Sequence, residues 1–178
     1  MPTLQDQLAT YLKSVNNVAN PNALYVIEGG TNDIFGGLID VGNANNNGAA
    51  ATATLAAVAA AGATNIAGIE ASLVAAGAKN LLTVNLPDLA MLPVVRMQLL
   101  TGLSNERALA SAAVATFNAD VITDLGANPT GVRRSYLDLF KLTDQFEANP
   151  PRLRLHRHQH VLLLDQWVVD GGNCMCAG

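Results

Sequence analysis

The feature that most constrains this chain is a short apolar run ending at a pair of glycines. Leu24-Tyr-Val-Ile27 leads through Glu28 into Gly29-Gly30-Thr31-Asn32-Asp33. Four β-prone residues are too few for a helix and suit a strand buried on both faces of a parallel sheet. The glycines free the backbone just past the strand, where open α/β sheets place their ligand crevice. Asn32 then offers a side-chain amide donor, the kind of group that steadies a developing oxyanion. The same residues also read as a plain strand-loop junction, because Asn and Asp favour turns unaided.

A second run of this kind, Leu81–Val84, stops before Pro87 and puts Asn85, Leu86, Pro87 and Asp88 at its carboxyl end. Helical patterns fill the intervals. Leu4, Leu8, Leu12 and Val15 recur at helical spacing, and Ile66, Ile69 and Leu73 form a core-facing stripe that stops at Gly77, a C-cap residue. The alanine-rich region from Ala49 is expected to be helical and to break near Gly62-Ala-Thr64. Residues 36–48, rich in Gly and Asn, are expected to be a loop beside the crevice. Ser104 is the expected N-cap of a helix carrying Leu109, Ala113, Phe117 and Val121. Tyr136, Leu137, Phe140 and Leu142 are expected to share an apolar face, and Asn128-Pro129 marks a turn. Strands alternating with helices indicate an α/β sandwich of flavodoxin-like type.

Composition narrows the function. With 178 residues the chain can build one domain with a real core. A net charge of −4 with 13% charged residues gives no reason to expect nucleic-acid binding. No window is an uninterrupted apolar stretch of the roughly 18 residues expected of a membrane span. Met1-Pro-Thr-Leu-Gln-Asp has neither the basic start nor the apolar stretch of a signal peptide, which leaves the compartment open. Cys174 and Cys176 are too close together to staple a framework.

Several segments together resemble the SGNH (GDSL) family of serine esterases and lipases, including the esterase domains of bacterial autotransporters. Gly30-Thr31-Asn32-Asp33 resembles the family's Gly-x-Asn-Asp block. It stands after a helix-like lead-in, Thr3 to Val15, and Asn22-Ala-Leu-Tyr-Val-Ile. Gly77-Ala-Lys-Asn-Leu-Leu-Thr-Val-Asn-Leu-Pro-Asp88, Phe117-Asn118 and Tyr136-Leu-Asp-Leu-Phe140 follow in the family's order. The resemblance covers residues 3–150 and implies a three-layer α/β sandwich with a parallel sheet, incomplete at its N-terminus. It also implies hydrolysis of carboxylic esters, from short acyl esters to lipids, through a serine acyl-enzyme, with no metal or organic cofactor. By resemblance Asn32 is the oxyanion donor, Gly30 the turn that presents it, and Asp33 a support for the loop.

The family's nucleophile block, Gly-Asp-Ser-Leu, has no counterpart ahead of Leu24. Ser14, Ser72, Ser104, Ser111 and Ser135 read as helix or cap serines. The closing Asp-x-x-His block is also missing, since Asp165-Gln-Trp ends in Val168. In the resembling fold the absent region supplies two strands, so a chain beginning here is expected to expose a sheet edge and self-associate. Two alternatives to a conventional esterase follow. One is an inert α/β binding or self-associating module. The other is an unorthodox triad of Ser135, one of His156, His158 or His160, and Asp33 or Asp165, with Ser135, His160 and Asp165 as the leading set.

The last segment, 151–178, departs from residues 1–150 in composition. Its His156, His158, His160, Cys174 and Cys176 resemble a crude metal-ligand set but match no standard zinc spacing. One permitted set of codons for Pro151 to Leu164, read in another frame, encodes Gln-Gly-Tyr-Gly-Phe and onward to a cysteine, the continuation the resemblance implies. The expectation is therefore a frameshift near Pro150 or Pro151, which makes those histidines and cysteines accidental.

Overall fold

The computed structural model describes residues 2–45 and 48–148. Three strands, β1 (Leu24–Glu28), β2 (Asn80–Val84) and β3 (Arg133–Leu137), form an all-parallel sheet in the order β1-β2-β3. Leu24 registers with Asn80, and Asn80 with Arg133, so all three carboxyl ends lie along one edge. Helix α1 (Leu4–Ser14) precedes β1, and α2 (Thr31–Asn43) and α3 (Gly48–Ala75) cross over to β2. A 3-10 turn at Leu89–Met91, α4 (Pro93–Arg96) and α5 (Glu106–Leu125) lead to β3, and α6 (Leu139–Ala148) follows it. The expected α/β alternation with a parallel sheet is present.

Local chemistry sets the helix ends. The Thr3 hydroxyl accepts from the Asp6 amide at 3.1 Å while the Asp6 carboxylate accepts from the Thr3 amide at 2.9 Å. This reciprocal box satisfies amide donors that would otherwise be orphaned at the start of α1. The expected C-cap at Gly77 also forms. Its φ of +107° turns the chain left-handed while the Gly77 and Ala78 amides donate back to the Val74 and Leu73 carbonyls.

Four expectations about the helices and their caps require correction. The alanine-rich helix does not break at Gly62 but runs unbroken to Ala75. Gly62 is a packing notch: a Cβ there would lie 2.9 Å from Cε2 of buried Phe117 on α5. Nor is 36–48 a loop throughout, since residues 36–43 belong to α2. A Cβ on Gly42 would lie 2.7 Å from the Thr101 Cα, so glycine there lets a neighbouring backbone approach. Asn105, not Ser104, precedes α5 as its cap residue. The fully buried Glu106 carboxylate instead accepts from the Thr101 amide at 2.8 Å and its hydroxyl at 2.7 Å, fixing the loop before the helix. Finally, Tyr136 and Leu137 are successive strand residues on opposite faces, so they do not share one apolar face with Phe140 and Leu142 of α6.

The sheet has two unlike faces. Ile27, Leu81 and Thr83 are buried beneath helices, with Tyr25, Arg134 and Tyr136 beside them. The Tyr11 and Tyr25 hydroxyls meet at 2.7 Å and join α1 to this side. Glu70 of α3, 1% exposed, accepts from the Thr83 hydroxyl at 3.0 Å and forms an ion pair with Arg134. One carboxylate thus ties a helix to two strands. On the opposite face Leu24 and Val26 are 60% and 59% exposed, and Leu137 is 42% exposed. Leu24–Ile27 is therefore not buried on both faces, because among the described residues helices cover only one side. By length and composition α3 is apolar enough to cross a membrane. Within this fold it carries a buried stripe including Leu55, Ala59, Ile66, Ile69 and Leu73 against the other elements.

Candidate active site

The turn after β1 begins with Gly30, whose φ is +112°. An L side chain is strained there, and a Cβ would lie 2.5 Å from Cζ of Phe117. Glycine is needed for both reasons. Gly30 is the residue preceding α2, and its carbonyl accepts from the Ile34 amide at 3.0 Å. Thr31, Asn32 and Asp33 therefore occupy the first helical turn, where amide N–H groups lack helical partners and the helix dipole favours negative charge. The expected Thr-Asn-Asp turn is in fact the start of a helix.

Asn32 is exposed in that turn, at the carboxyl end of β1. Asp33 is exposed beside it, and among the described residues its carboxylate has no hydrogen-bond partner. Its position in the first turn complements the helix dipole. A side-chain amide and free backbone donors on the crevice edge of a parallel sheet can together hold a developing negative charge.

The carboxyl ends of β2 and β3 carry a second polar cluster. Asn85, 3% exposed, donates to Asp138 Oδ1 at 2.9 Å, and its own Oδ1 accepts from the Leu139 amide at 2.6 Å. Asp138 Oδ1 also accepts from the Lys141 amide at 3.0 Å. Asn85 and Asp138 together cap α6. These bonds, the Lys141 amide first and the Asn85 amide next, hold the Asp138 carboxyl below its ordinary range. Asn118 of α5 clamps the strand end by accepting from the Leu86 amide at 3.0 Å and donating to its carbonyl at 2.9 Å. Asp88 accepts from the Ala90 amide at 3.0 Å and from the Ser111 hydroxyl at 3.2 Å. Asn85 through Asp88 thus lie at the carboxyl end of β2, as expected.

A family model, GDSL-like Lipase/Acylhydrolase, matches residues 2–148. The chain belongs to this GDSL-like family. A comparison with curated proteins gives no match.

In this GDSL-like chain the expected helix or cap setting holds for Ser14, Ser72 and Ser111 but not for Ser135, which lies in a strand. Ser14 and Ser72 donate to helix carbonyls of Tyr11 and Gly68. Ser135 lies in the middle of β3, exposed on the uncovered sheet face, two residues short of the edge that carries Asp138. It does not share the strand-end position of Asn32. His156, His158, His160, Asp165, Cys174 and Cys176 lie outside the described residues, as does the expected frameshifted tail. Among the described residues no group of His, Cys, Asp and Glu is placed to hold a metal.

Sequence reasoning used Phe117-Asn118 and Tyr136 for family resemblance and gave them no place in a site. The available signal was an asparagine directly beside the buried stripe Ala113-Phe117-Val121. A polar side chain there must find a partner, and Asn118 finds the Leu86 backbone.

Proposed function

We propose that this chain is a carboxylic-ester hydrolase, in which Asn32 donates to the oxyanion, Gly30 presents it and Asp33 supports the loop. The observation that carries this reading is the exposed Asn32 amide in the first turn of α2, directly after the positive-φ Gly30 turn. A serine would attack the ester carbonyl, with the developing O⁻ held by Asn32 and the adjacent helix-start amides. Expulsion of the alcohol would leave an acyl-enzyme that water hydrolyses. The nucleophile is the part to be assigned by experiment; Ser135, the serine of the alternative set with His160 and Asp165, lies mid-strand on the uncovered sheet face and not at the strand end that carries Asn32.

The full chain is assayed with p-nitrophenyl butyrate and a fluorophosphonate probe, followed by tryptic mapping. Hydrolysis with labelling at one serine supports the reading. Asn32→Ala should then lower kcat by about 10²- to 10³-fold with the fold intact. Folded protein that neither hydrolyses ester nor takes the label overturns it.

The second reading, an inert self-associating module, draws on the bare sheet face and the terminal position of β1. Leu24 and Val26 project from a strand whose outer edge has no partner among the described residues. Such surfaces favour pairing with another chain. Light scattering after gel filtration should give a dimer or larger species that Val26→Lys shifts toward monomer. A monomer at all concentrations excludes this mode.

A further inference from the structure

One cavity is unused by the ester-hydrolysis reading. It is an open groove of about 220 Å³ between α5, β3 and the start of α6, and Ala115, Ala119 and Ile122 on its rim are exposed. Ala115, Ala119, Ile122 and Phe140 provide its apolar walls. Asn85 and Asn118 stand at its polar end with every hydrogen-bonding role described above already filled by protein. No lining residue comes from β1 or α2.

Two polar groups at this cavity are not filled. The Tyr136 hydroxyl is buried and, among the described residues, has no hydrogen-bond partner. Burial pushes the phenol pKa up, the Asn85 amide works against that, and the Asp138 charge adds to it. The phenol therefore keeps its proton, and a buried donor without an acceptor is unfavourable. Asp138, exposed at the mouth of the groove, is the second group, and its free oxygen meets water until a ligand displaces it. Its Oδ1 holds the Asn85 amide and the Lys141 amide, while Oδ2 accepts no hydrogen bond from the described residues.

These two groups select a ligand by chemistry. A carboxylate could accept the phenol proton but would meet the charge of Asp138. An ammonium could pair with Asp138 but has no lone pair for the phenol. A hydroxyl has both a lone pair to accept from Tyr136 and a proton to donate to Asp138, so it suits both groups that line the groove. Its hydrocarbon then lies on the alanine, isoleucine and phenylalanine walls, where burial of apolar surface is favourable. The volume equals that of about seven waters at ~30 Å³ each, enough for a short chain. The site also lies outside the carboxyl ends of two parallel strands, the usual ligand position in open α/β sheets.

We infer that this cavity is a binding site for short aliphatic alcohols, recognised by the Tyr136 hydroxyl and the Asp138 carboxylate.

The test uses the full chain with labelled alanine and isoleucine methyl groups, titrated with 1-hexanol and followed by NMR. Hexanol should give saturable shifts centred on Ala115, Ala119 and Ile122, and hexanoate should bind more weakly. Tyr136→Phe keeps the ring and removes the donor, so hexanol affinity should fall roughly 3- to 10-fold. Ala119→Trp fills the cavity from the exposed side of α5 and should abolish the saturable shifts, which keeps the test decisive if Tyr136→Phe fails to fold. Linear shifts, as for a cavity that holds only water, overturn the proposal. So does equal hexanol affinity in Y136F, or tighter binding of hexanoate. None of these readouts depends on ester hydrolysis.

Discussion

Gly30→Ala should be strongly destabilising, because the added methyl meets two separate obstacles. At φ +112° an L residue pays about 1–2 kcal/mol in left-handed backbone strain. The new methyl would also start 2.5 Å from Cζ and 2.6 Å from Cε2 of Phe117. Phe117 is only 1% exposed, and its ring already abuts the Gly62 notch, so it has little room to retreat. Overpacking of this kind costs about 1–3 kcal/mol. The sum, about 2–5 kcal/mol, is a large part of the roughly 5–15 kcal/mol available to a domain. In urea, with a slope near 2 kcal/mol/M, the midpoint should fall by about 1–2.5 M. Gly36→Ala is the control: Gly36 lies within α2 with no atom within 4 Å of an added Cβ. That change should raise stability by about 0.5–1 kcal/mol, as Gly→Ala does inside a helix. Combining Gly30→Ala with Phe117→Leu relieves the clash but not the backbone strain, so the pair should cost about 1–3 kcal/mol less than the sum of the singles. If Gly30→Ala and Gly36→Ala move the urea midpoint alike, or the double variant is simply additive, the reasoning is refuted.

Glu70→Ala would leave the Arg134 cation, whose side chain is 12% exposed, and the Thr83 hydroxyl without their shared acceptor. Urea unfolding should register a loss of about 3–5 kcal/mol, whereas Glu70→Leu with Arg134→Met should lose less, because no uncompensated charge remains. The folded-state pKa of Asp138 is lowered, so its contribution is present above the ordinary carboxyl value near pH 4 and disappears as pH falls through the lower folded value. Thermal melts of Asp138→Asn should accordingly show a flatter acid limb than the unsubstituted chain, and an unchanged slope would contradict the assignment. For the segment 151–178, the coding DNA should contain an alternative frame encoding Tyr-Gly-Phe just after Pro150; its absence removes the frameshift proposal.

The strands at Leu24 and Leu81, the cap at Gly77, and the buried stripe on α5 were legible because short-range periodicity and cap chemistry set them. The family motif was legible because Gly-x-Asn-Asp is continuous in sequence, but its Thr-Asn-Asp part proved to be the first turn of α2. Glycine misled twice. Gly62 and the glycines of 36–43 suggested a break and a loop, yet they lie in helices, with Gly42 and Gly62 admitting Thr101 and the Phe117 ring. A sequence records that a side chain is missing but not what occupies its place.

By itself, then, the sequence determined the alternation of elements, the family motif and the residue types at the strand ends. Tertiary structure decided which sheet face stayed open, why Gly30 must be glycine, and which polar groups found partners. Glu70 meets Arg134 across 64 positions, and Asn85 meets Asp138 across 53. Hydrogen bonds and packing act over a few ångströms, so contacts between such distant positions exist only once the chain has folded.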